Sequence, residues 1–219
     1  MTSTHKKAYH ILATGFEPFG NPMPKDNPSW ESLKLLEKVI EFEDKIFYVH
    51  ASEIPVEYKP VEDIIPLLHR ENKFDFVMHI GQGGSSSIQF ETCAVAGDYF
   101  KLDNKKQTPA NNLAPKKYLP TSGDAKSFVL KPELDFQALR QKVEVRSGFK
   151  KIGLSNSAGR YLCEYTYFCS LGEALLIKKK DPTDKRKPIF VHVPRPDKEI
   201  SLDAISKVLK AIIISLPEV

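Results

Sequence analysis

Short apolar segments alternate with segments of helical periodicity along almost the whole chain of 219 residues. The apolar segments are rich in β-branched and aromatic residues, and each one ends near a glycine, a proline or a small polar residue. Such alternation is typical of an α/β domain in which helices cover both faces of a largely parallel sheet. We therefore predict a three-layer α/β/α sandwich with a mostly parallel, mixed and twisted sheet. The predicted strands span residues 9–14, 45–56, 74–80, 88–95, 151–155 and 189–193.

The first helix has the clearest start signal. Asn27 is a good N-cap, and Pro28 suits the first helical position. Apolar residues then recur at helical spacing from Trp30 to Ile40, which predicts a helix across this segment. Further helices are predicted over residues 61–69, 134–143, 161–177 and 200–216. Pro66 should kink or stop the second of the five helices.

The length suits one domain, because single hydrophobic cores stop growing near roughly 250–300 residues. No internal repeat and no clear boundary divides the chain, so we predict a single α/β domain over residues 1–219. Residues 1–8 are expected to form a flexible N-terminal segment. Residues 98–122 contain three prolines and little periodicity, and they are expected to form a long irregular loop. Loops of that length in compact domains are often functional.

Composition argues against several classes of protein. The net charge is only +4, and the densest basic stretch, residues 178–187, contains no aromatic residue. A nucleic-acid partner is therefore not expected, since binding would favour a basic face with interleaved aromatics. No apolar run approaches the roughly 18 residues that span a membrane, and the run before Gly15 is too short for a signal peptide. With only three cysteines, an odd number and too few for a disulfide scaffold, we expect a soluble cytoplasmic protein.

Polar and small residues follow the ends of several predicted strands. In sheets of this type, ligands bind outside the carboxyl ends of the strands. The relevant segments are residues 15–20, 81–84 and 155–159, and His192 with Pro194. We expect these four strand ends to lie along one edge of the sheet.

Two of the three cysteines lie in the stretch SAGRYLCEYTYFC, residues 157–169. Cys163 falls about one turn into a predicted helix, where free backbone N–H groups favour an anion such as a thiolate. Position alone leaves two interpretations open for Cys163, a nucleophile or a packed core residue. Cys169 lies deeper on an apolar helix face and is expected to be part of the core. Cys93 is a weaker candidate, because nothing places it at a helix start.

A thiol nucleophile needs a base and a group that orients the base. Among the six histidines, His192 is best placed, because it lies near the end of a strand that leads to the predicted site. His79 lies inside an apolar strand and is expected to be a core residue. Glu91 lies in a mostly apolar strand, where a buried carboxylate needs a partner, and an imidazole would be one. The chain lacks the residue spacings of common metal sites, so a metal is not expected.

Taken together, these segments resemble the pyroglutamyl peptidase I (pyrrolidone carboxyl peptidase) family. TGFEPFG at residues 14–20 and NPSWE at residues 27–31 look like its N-terminal signature. SAGRYLC at residues 157–163 is similar to its nucleophile motif, and FVHVP at residues 190–194 is similar to its histidine motif. Glu91, downstream of the glycine-rich turn at residues 81–84, matches its catalytic glutamate. The motifs occur in the family's order from about residue 11 to the C-terminus.

The resemblance implies a cysteine peptidase that removes an N-terminal pyroglutamyl residue from peptides through a thioester acyl-enzyme, without a cofactor. Cys163 would be the nucleophile, His192 the general base and then acid, and Glu91 the group that orients the imidazole. The implied partners are peptides with an N-terminal pyroglutamate. The number of subunits stays open, because family members occur as monomers and as oligomers.

The resemblance also implies how the pyroglutamyl ring would be bound. Phe16 and Phe19 would flank the flat lactam, and Gln82 would hydrogen-bond it. Core packing is the alternative for both phenylalanines. An uncharged pocket would reject a free α-amino group, because that group would be left as an unpaired buried charge.

The chain departs from the family pattern in one region. Ala96 stands where the family usually has an asparagine, and the segment from Phe100 to Leu102 precedes Asp103 where bacterial members carry an arginine. The substrate-side loop of bacterial members is therefore not reproduced in residues 98–120. For this reason a second hypothesis is kept, a non-catalytic member of the same fold that binds pyroglutamyl or lactam ligands. A third hypothesis is a nucleotide-binding α/β domain, although the glycine-rich turn lacks the phosphate-loop pattern.

Overall fold

The computed structural model describes residues 6–71 and 73–219. Within these residues the chain forms alternating strands and helices, together with three single-turn 3₁₀ helices. In chain order the elements are β1 (Lys7–Phe16), α1 (Pro28–Lys34), β2 (Val39–Phe42), β3 (Lys45–Ile54), α2 (Tyr58–Glu71), β4 (Phe76–Gln82), β5 (Ile88–Glu91), β6 (Ala94–Val95), β7 (Val129–Leu130), α3 (Phe136–Ser147), β8 (Ile152–Ser155), α4 (Leu162–Lys180), β9 (Lys187–Val193) and α5 (Leu202–Ser215).

Seven strands form one mixed sheet in the order β2-β3-β1-β4-β9-β5-β8. Strands β3, β1, β4 and β9 run parallel to one another. Strand β2 is antiparallel to β3, and the parallel pair β5 and β8 runs antiparallel to β9. Strands β6 and β7 form a separate antiparallel pair.

Helices cover both faces of this sheet. Helices α1, α3 and α5 pack together on one face, over a core that includes Ile11, Leu139 and Ile212. Helices α2 and α4 pack on the other face, over a second core that includes Ile65 and Phe168. The predicted α/β/α sandwich with a mostly parallel, mixed sheet is therefore confirmed.

The connection from β1 to α1 is fixed by a polar cluster and a close backbone approach. The Asn27 side chain accepts from the backbone N–H of Ser29 at 3.0 Å and so caps α1, as predicted. The Ser29 hydroxyl accepts from the N–H of Phe16 at 3.0 Å, which joins the helix start to the end of β1. A Cβ on Gly15 would lie 2.7 Å from the Trp30 backbone, so only glycine allows this approach.

Two predicted elements have different bounds in the structure. The first helix ends at Lys34, and Ile40 lies in β2, where it faces the core opposite Phe47. The predicted strand over residues 88–95 is two strands, β5 and β6, because the chain leaves the main sheet after Glu91 and pairs with β7. Pro66 lies inside α2, which continues to Glu71, so it does not stop the helix.

We predicted that the carboxyl ends of four strands lie along one edge of the sheet, and this holds for three of them. Strands β1, β4 and β9 are parallel and do end at a common edge, at Phe16, Gln82 and Val193. Strand β8 runs in the opposite direction, because it pairs parallel with β5 and β5 pairs antiparallel with β9. Ser155 therefore lies level with Glu91, in the adjacent strand. The segment after β8 leads into α4, whose start lies at the same cavity as the ends of β4 and β9.

The long segment 98–122 contains two single-turn 3₁₀ helices, Ala110–Asn112 and Lys116–Tyr118. Its start is held by Asp103, whose buried carboxylate accepts from the backbone N–H groups of Tyr58, Lys105 and Gln107. The predicted flexible segment 1–8 falls largely on residues 1–5, which lie outside the described residues, while residues 7 and 8 belong to β1. Across residues 6–71 and 73–219, none of the helices is both long and apolar enough to cross a membrane.

Candidate active site

A cavity of about 360 Å³ opens where β4, β5 and β9 meet the first turn of α4. Five of the six residues that the sequence predicted for the site line this cavity: Phe19, Gln82, Glu91, Cys163 and His192. The sixth, Phe16, is not among the lining residues in the part of the chain that the structure describes.

His192 and Glu91 lie on adjacent antiparallel strands. In the β5–β9 register, His192 faces Gln89 and Glu91 faces Phe190. Glu91 and His192 are thus diagonal neighbours on the same face of the sheet. The Nδ1 atom of His192 lies 2.7 Å from Oε1 of Glu91, and both side chains are buried. Two hydrogen-bonded strands therefore fix this contact.

The surroundings of His192 favour its charged form. Burial lowers the pKa of His192, but the Cys163 sulfur and the Glu91 carboxylate raise it by more, to about 10. These two neighbours therefore favour the imidazolium form of His192 over its neutral form. Its Nδ1–H donates to Glu91, which leaves the Nε2–H as the proton that it can share with Cys163.

Cys163 is the second residue of α4, and its side chain is 9% exposed. The chain enters the helix through two residues with left-handed backbone, Gly159 at φ 98° and Arg160 at φ 51°. The first N–H groups of a helix have no intrahelical partner, so they favour an anion at this position. On the other side, a Cβ on Gly81 would lie 2.9 Å from the Cys163 sulfur. Glycine in β4 is thus what lets the thiol pack against the sheet.

Glu164 anchors the turn that precedes Cys163, and the sequence reasoning missed it. Its carboxylate is fully buried and accepts from the backbone N–H groups of Arg160 at 2.8 Å and Val95 at 3.1 Å. The Arg160 guanidinium lies 3.5 Å from the same carboxylate and donates to the Gly97 carbonyl. Burial raises the pKa of Glu164, while the bonds from Arg160 and Val95 oppose that rise. Its position in the first turn of a helix was the available signal.

The other two cysteines lie away from the cavity. Cys169 is fully buried, and burial raises its pKa well above its usual value. Cys93 donates to the Asn156 carbonyl at 3.3 Å, and burial raises its pKa as well. All three cysteines are within the described residues and are free thiols. Cys163 is the one that lines the cavity.

The other described histidines have no contact with this cavity. His79 hydrogen-bonds the Thr14 hydroxyl at 2.7 Å, and burial lowers its pKa to about 3. His69 hydrogen-bonds the Ser170 hydroxyl at 2.8 Å, and burial likewise lowers its pKa to about 3. Both therefore stay neutral in the core. His10 and His50 form an exposed pair on β1 and β3, and His5 lies outside the described residues.

The two predicted lactam-binding phenylalanines lie in different environments. Phe19 is half-buried at the cavity, and its ring centroid is 6.0 Å from that of Tyr161. Phe16 is 2% exposed and packs in the core beneath α4, with its ring centroid 6.4 Å from that of Phe190. The Phe190 ring in turn lies 4.9 Å from the His192 ring. The Phe190 ring therefore lies between Phe16 and His192, which lines the cavity.

Lys101 also lines the cavity, and the sequence reasoning gave it no role. Its Nζ donates to the Gly159 carbonyl at 2.9 Å and lies 5.9 Å from the centroid of the Tyr161 ring. The available signal was its place in the segment that departs from the family pattern. Over residues 6–71 and 73–219, no group of three His, Cys, Asp or Glu side chains is arranged to hold a metal ion.

Comparison with known proteins gives one consistent result. The family model described as pyroglutamyl peptidase matches residues 9–213. Pyroglutamyl-peptidase 1 of Homo sapiens is 31% identical over 204 residues, which cover 93% of this chain and 87% of that protein. The pyrrolidone-carboxylate peptidase of Fusobacterium nucleatum is 33% identical over 215 residues, with 94% and 90% covered. Among solved structures, a variant of pyrrolidone carboxyl peptidase from Pyrococcus furiosus is similar at TM-score 0.75 and 26% identity, covering 96% of this chain and 99% of that one.

Proposed function

This chain belongs to the pyroglutamyl peptidase family, and we propose that it hydrolyses N-terminal pyroglutamyl residues from peptides with Cys163, His192 and Glu91 as its catalytic triad. The observation that carries the residue assignment is the 2.7 Å contact between His192 and Glu91 in the same cavity as Cys163. Nucleophile, base and orienting group are the three parts that thiol catalysis requires.

In the first half of the reaction, the Cys163 thiolate attacks the carbonyl carbon of the pyroglutamyl residue and forms a C–S bond. Backbone N–H groups at the start of α4 would stabilise the oxyanion that develops on the carbonyl oxygen. As the C–N bond breaks, His192 gives its Nε2 proton to the leaving amine. The products of this half are the shortened peptide and a thioester between Cys163 and the pyroglutamyl group.

In the second half, His192 is neutral and takes a proton from a water molecule while the water oxygen attacks the thioester carbon. The C–S bond breaks and pyroglutamate leaves. The sulfur is released as a thiolate and His192 is again an imidazolium, so the starting ion pair is restored. Throughout, Glu91 would hold the imidazole in one orientation and stabilise its positive form, as the raised pKa of His192 indicates.

The lactam ring is flat, uncharged and amide-bearing, and the cavity offers matching groups. Phe19 and Tyr161 present neighbouring aromatic rings for its carbon face, and Gln82 offers amide groups for its N–H and C=O. Phe16 would act indirectly, by supporting Phe190 against His192. The substrates proposed here are accordingly peptides with an N-terminal pyroglutamate. We further propose a cytoplasmic location, because three free thiols are typical of a protein in a reducing compartment.

The test is hydrolysis of a pyroglutamyl-aminomethylcoumarin substrate by the wild type and two serine variants. Cys163→Ser should lose roughly 10⁴-fold or more of kcat/KM. Cys93→Ser is the matched control, because serine can keep the hydrogen bond to the Asn156 carbonyl, and it should stay within about three-fold of the wild type. Iodoacetamide should abolish wild-type activity.

Full activity in Cys163→Ser would refute the nucleophile assignment. Saturable binding of the pyroglutamyl substrate without any product over long incubation would instead support the non-catalytic alternative.

A further inference from the structure

Lys101 is the single lysine or arginine among the described residues that line the catalytic cavity. It comes from the irregular segment that follows β6, and its ammonium is held at the cavity wall. The Nζ atom of Lys101 donates a hydrogen bond to the Gly159 carbonyl at 2.9 Å and lies 5.9 Å from the centroid of the Tyr161 ring. The Lys101 and Leu102 carbonyls accept from the hydroxyls of Tyr58 and Tyr161, which holds the backbone directly after the Lys101 side chain.

The charged groups of the cavity balance only when Lys101 is counted. Glu91 is the single aspartate or glutamate among the described lining residues. Cys163 and His192 together carry no net charge, whether as a thiol with a neutral imidazole or as a thiolate with an imidazolium. That leaves the Glu91 carboxylate and the Lys101 ammonium as one negative and one positive charge. Without Lys101 the cavity would carry a net negative charge and would attract a cation.

We propose that Lys101 is a specificity-determining residue, which makes the cavity electrically neutral and so disfavours substrates that carry a free α-ammonium group. This inference rests on the proposed peptidase function of the same site. A pyroglutamyl residue is uncharged, because its α-nitrogen belongs to the lactam, whereas an unblocked N-terminus is an ammonium at neutral pH. The lactam-binding groups select for the ring, and Lys101 selects against the charge that a similar ring can carry.

Proline provides the sharpest comparison. It has a ring of the same size, with a secondary ammonium in place of the lactam N–H and a methylene in place of the ring carbonyl. L-Prolinamide is therefore a cationic analogue of L-pyroglutamamide. Lys101 is at the solvent-exposed mouth of the cavity, so its repulsion of this cation is partly screened and should be worth about one order of magnitude in affinity.

The experiment measures competitive inhibition by L-prolinamide and by L-pyroglutamamide at neutral pH, against pyroglutamyl-aminomethylcoumarin. The enzymes are the wild type, Lys101→Met and Lys101→Arg. In Lys101→Met the ratio of the two inhibition constants should shift about ten-fold in favour of prolinamide, while Lys101→Arg should keep the wild-type ratio. Added salt should weaken prolinamide binding to Lys101→Met, whose cavity is net negative, and should change the ratio of the neutral wild-type cavity much less, so that the two ratios converge.

A ratio in Lys101→Met within about two-fold of the wild type, or no measurable inhibition by prolinamide, would overturn the proposal. Slow alkylation of Cys163 by iodoacetamide in Lys101→Met, together with lost hydrolysis, would show that Lys101 only supports the turn at Gly159, and would overturn it too. A wild type that does not hydrolyse the pyroglutamyl substrate would refute the proposed function, and this inference with it.

Discussion

Gly81→Ala should damage the candidate site directly. The new Cβ would lie 2.9 Å from the Cys163 sulfur and 2.8 Å from the Phe190 ring, whereas ordinary contacts begin at 3.4 Å. With the backbone of β4 held by its two neighbouring strands, the sulfur would retreat by about 0.5 Å, the difference between 3.4 and 2.9 Å. Because misplacement by about 1 Å can cost roughly 10²-fold in rate, kcat/KM should fall about 10- to 100-fold. Overpacking should also lower the free energy of unfolding by about 1–3 kcal/mol.

The assay pairs hydrolysis of the pyroglutamyl substrate with urea unfolding. The matched control is Ile80→Val, which lies in the same strand but faces the core on the opposite side of the sheet. It should cost about 0.5–1.5 kcal/mol of stability and leave the position of Cys163 unchanged. A folded Gly81→Ala variant with activity within about two-fold of the control would refute the argument that this glycine sets the position of the thiol.

Two further predictions concern the buried carboxylates. In the proposed mechanism the imidazolium of His192 protonates the leaving amine, so kcat/KM should fall as the pH rises through about 10, the raised pKa of this group in the free protein. Glu91→Gln removes a charge that raises this pKa, so the fall should move to lower pH; an unmoved pH–rate profile would contradict the assignment. Glu164→Ala leaves the buried N–H of Val95 and the half-buried N–H of Arg160 unpaired and should cost about 2–4 kcal/mol in urea unfolding. Glu133→Ala, which removes an exposed ion pair, should cost less than about 1 kcal/mol, and equal losses in both variants would refute the anchoring role.

The alternation of strands and helices was readable because buried strands are short apolar runs and helix starts carry their own signals, such as Asn27. Ile40 shows where this reading fails. Apolar spacing of three or four residues continues from α1 into β2, so the pattern alone does not mark the end of the helix at Lys34. Hydrophobic periodicity also does not indicate the direction of a strand in the sheet. The sequence therefore did not predict that β8 runs opposite to β9.

At the candidate site, the sequence predicted three residues that the structure brings to one cavity, and it did not predict the residues that hold them in place. Cys163, His192 and Glu91 each belong to a distinct motif, so they could be named before the fold was known. Glu164 and Lys101 depend on contacts with Val95 and Gly159, which are distant in the chain. Such contacts arise from tertiary packing, so the local signal of Glu164, its place in the first turn of α4, does not identify Val95 as a partner.

Helix α4 has an unusual distribution of burial along its length. All of its first twelve residues, Leu162 to Glu173, are buried, and exposed positions begin only in its second half. A helix on a protein surface tolerates substitution with a period of about 3.6 residues, because one face is open to solvent. In α4 this periodicity should be absent from the first three turns and should return only near the C-terminal lysines. A complete substitution scan of the helix would therefore show a uniformly intolerant block that begins beside Cys163, followed by a permissive C-terminal end. The rate at which a residue of this helix can diverge in evolution is then set by its position along the helix axis, and not by the face of the helix on which it lies.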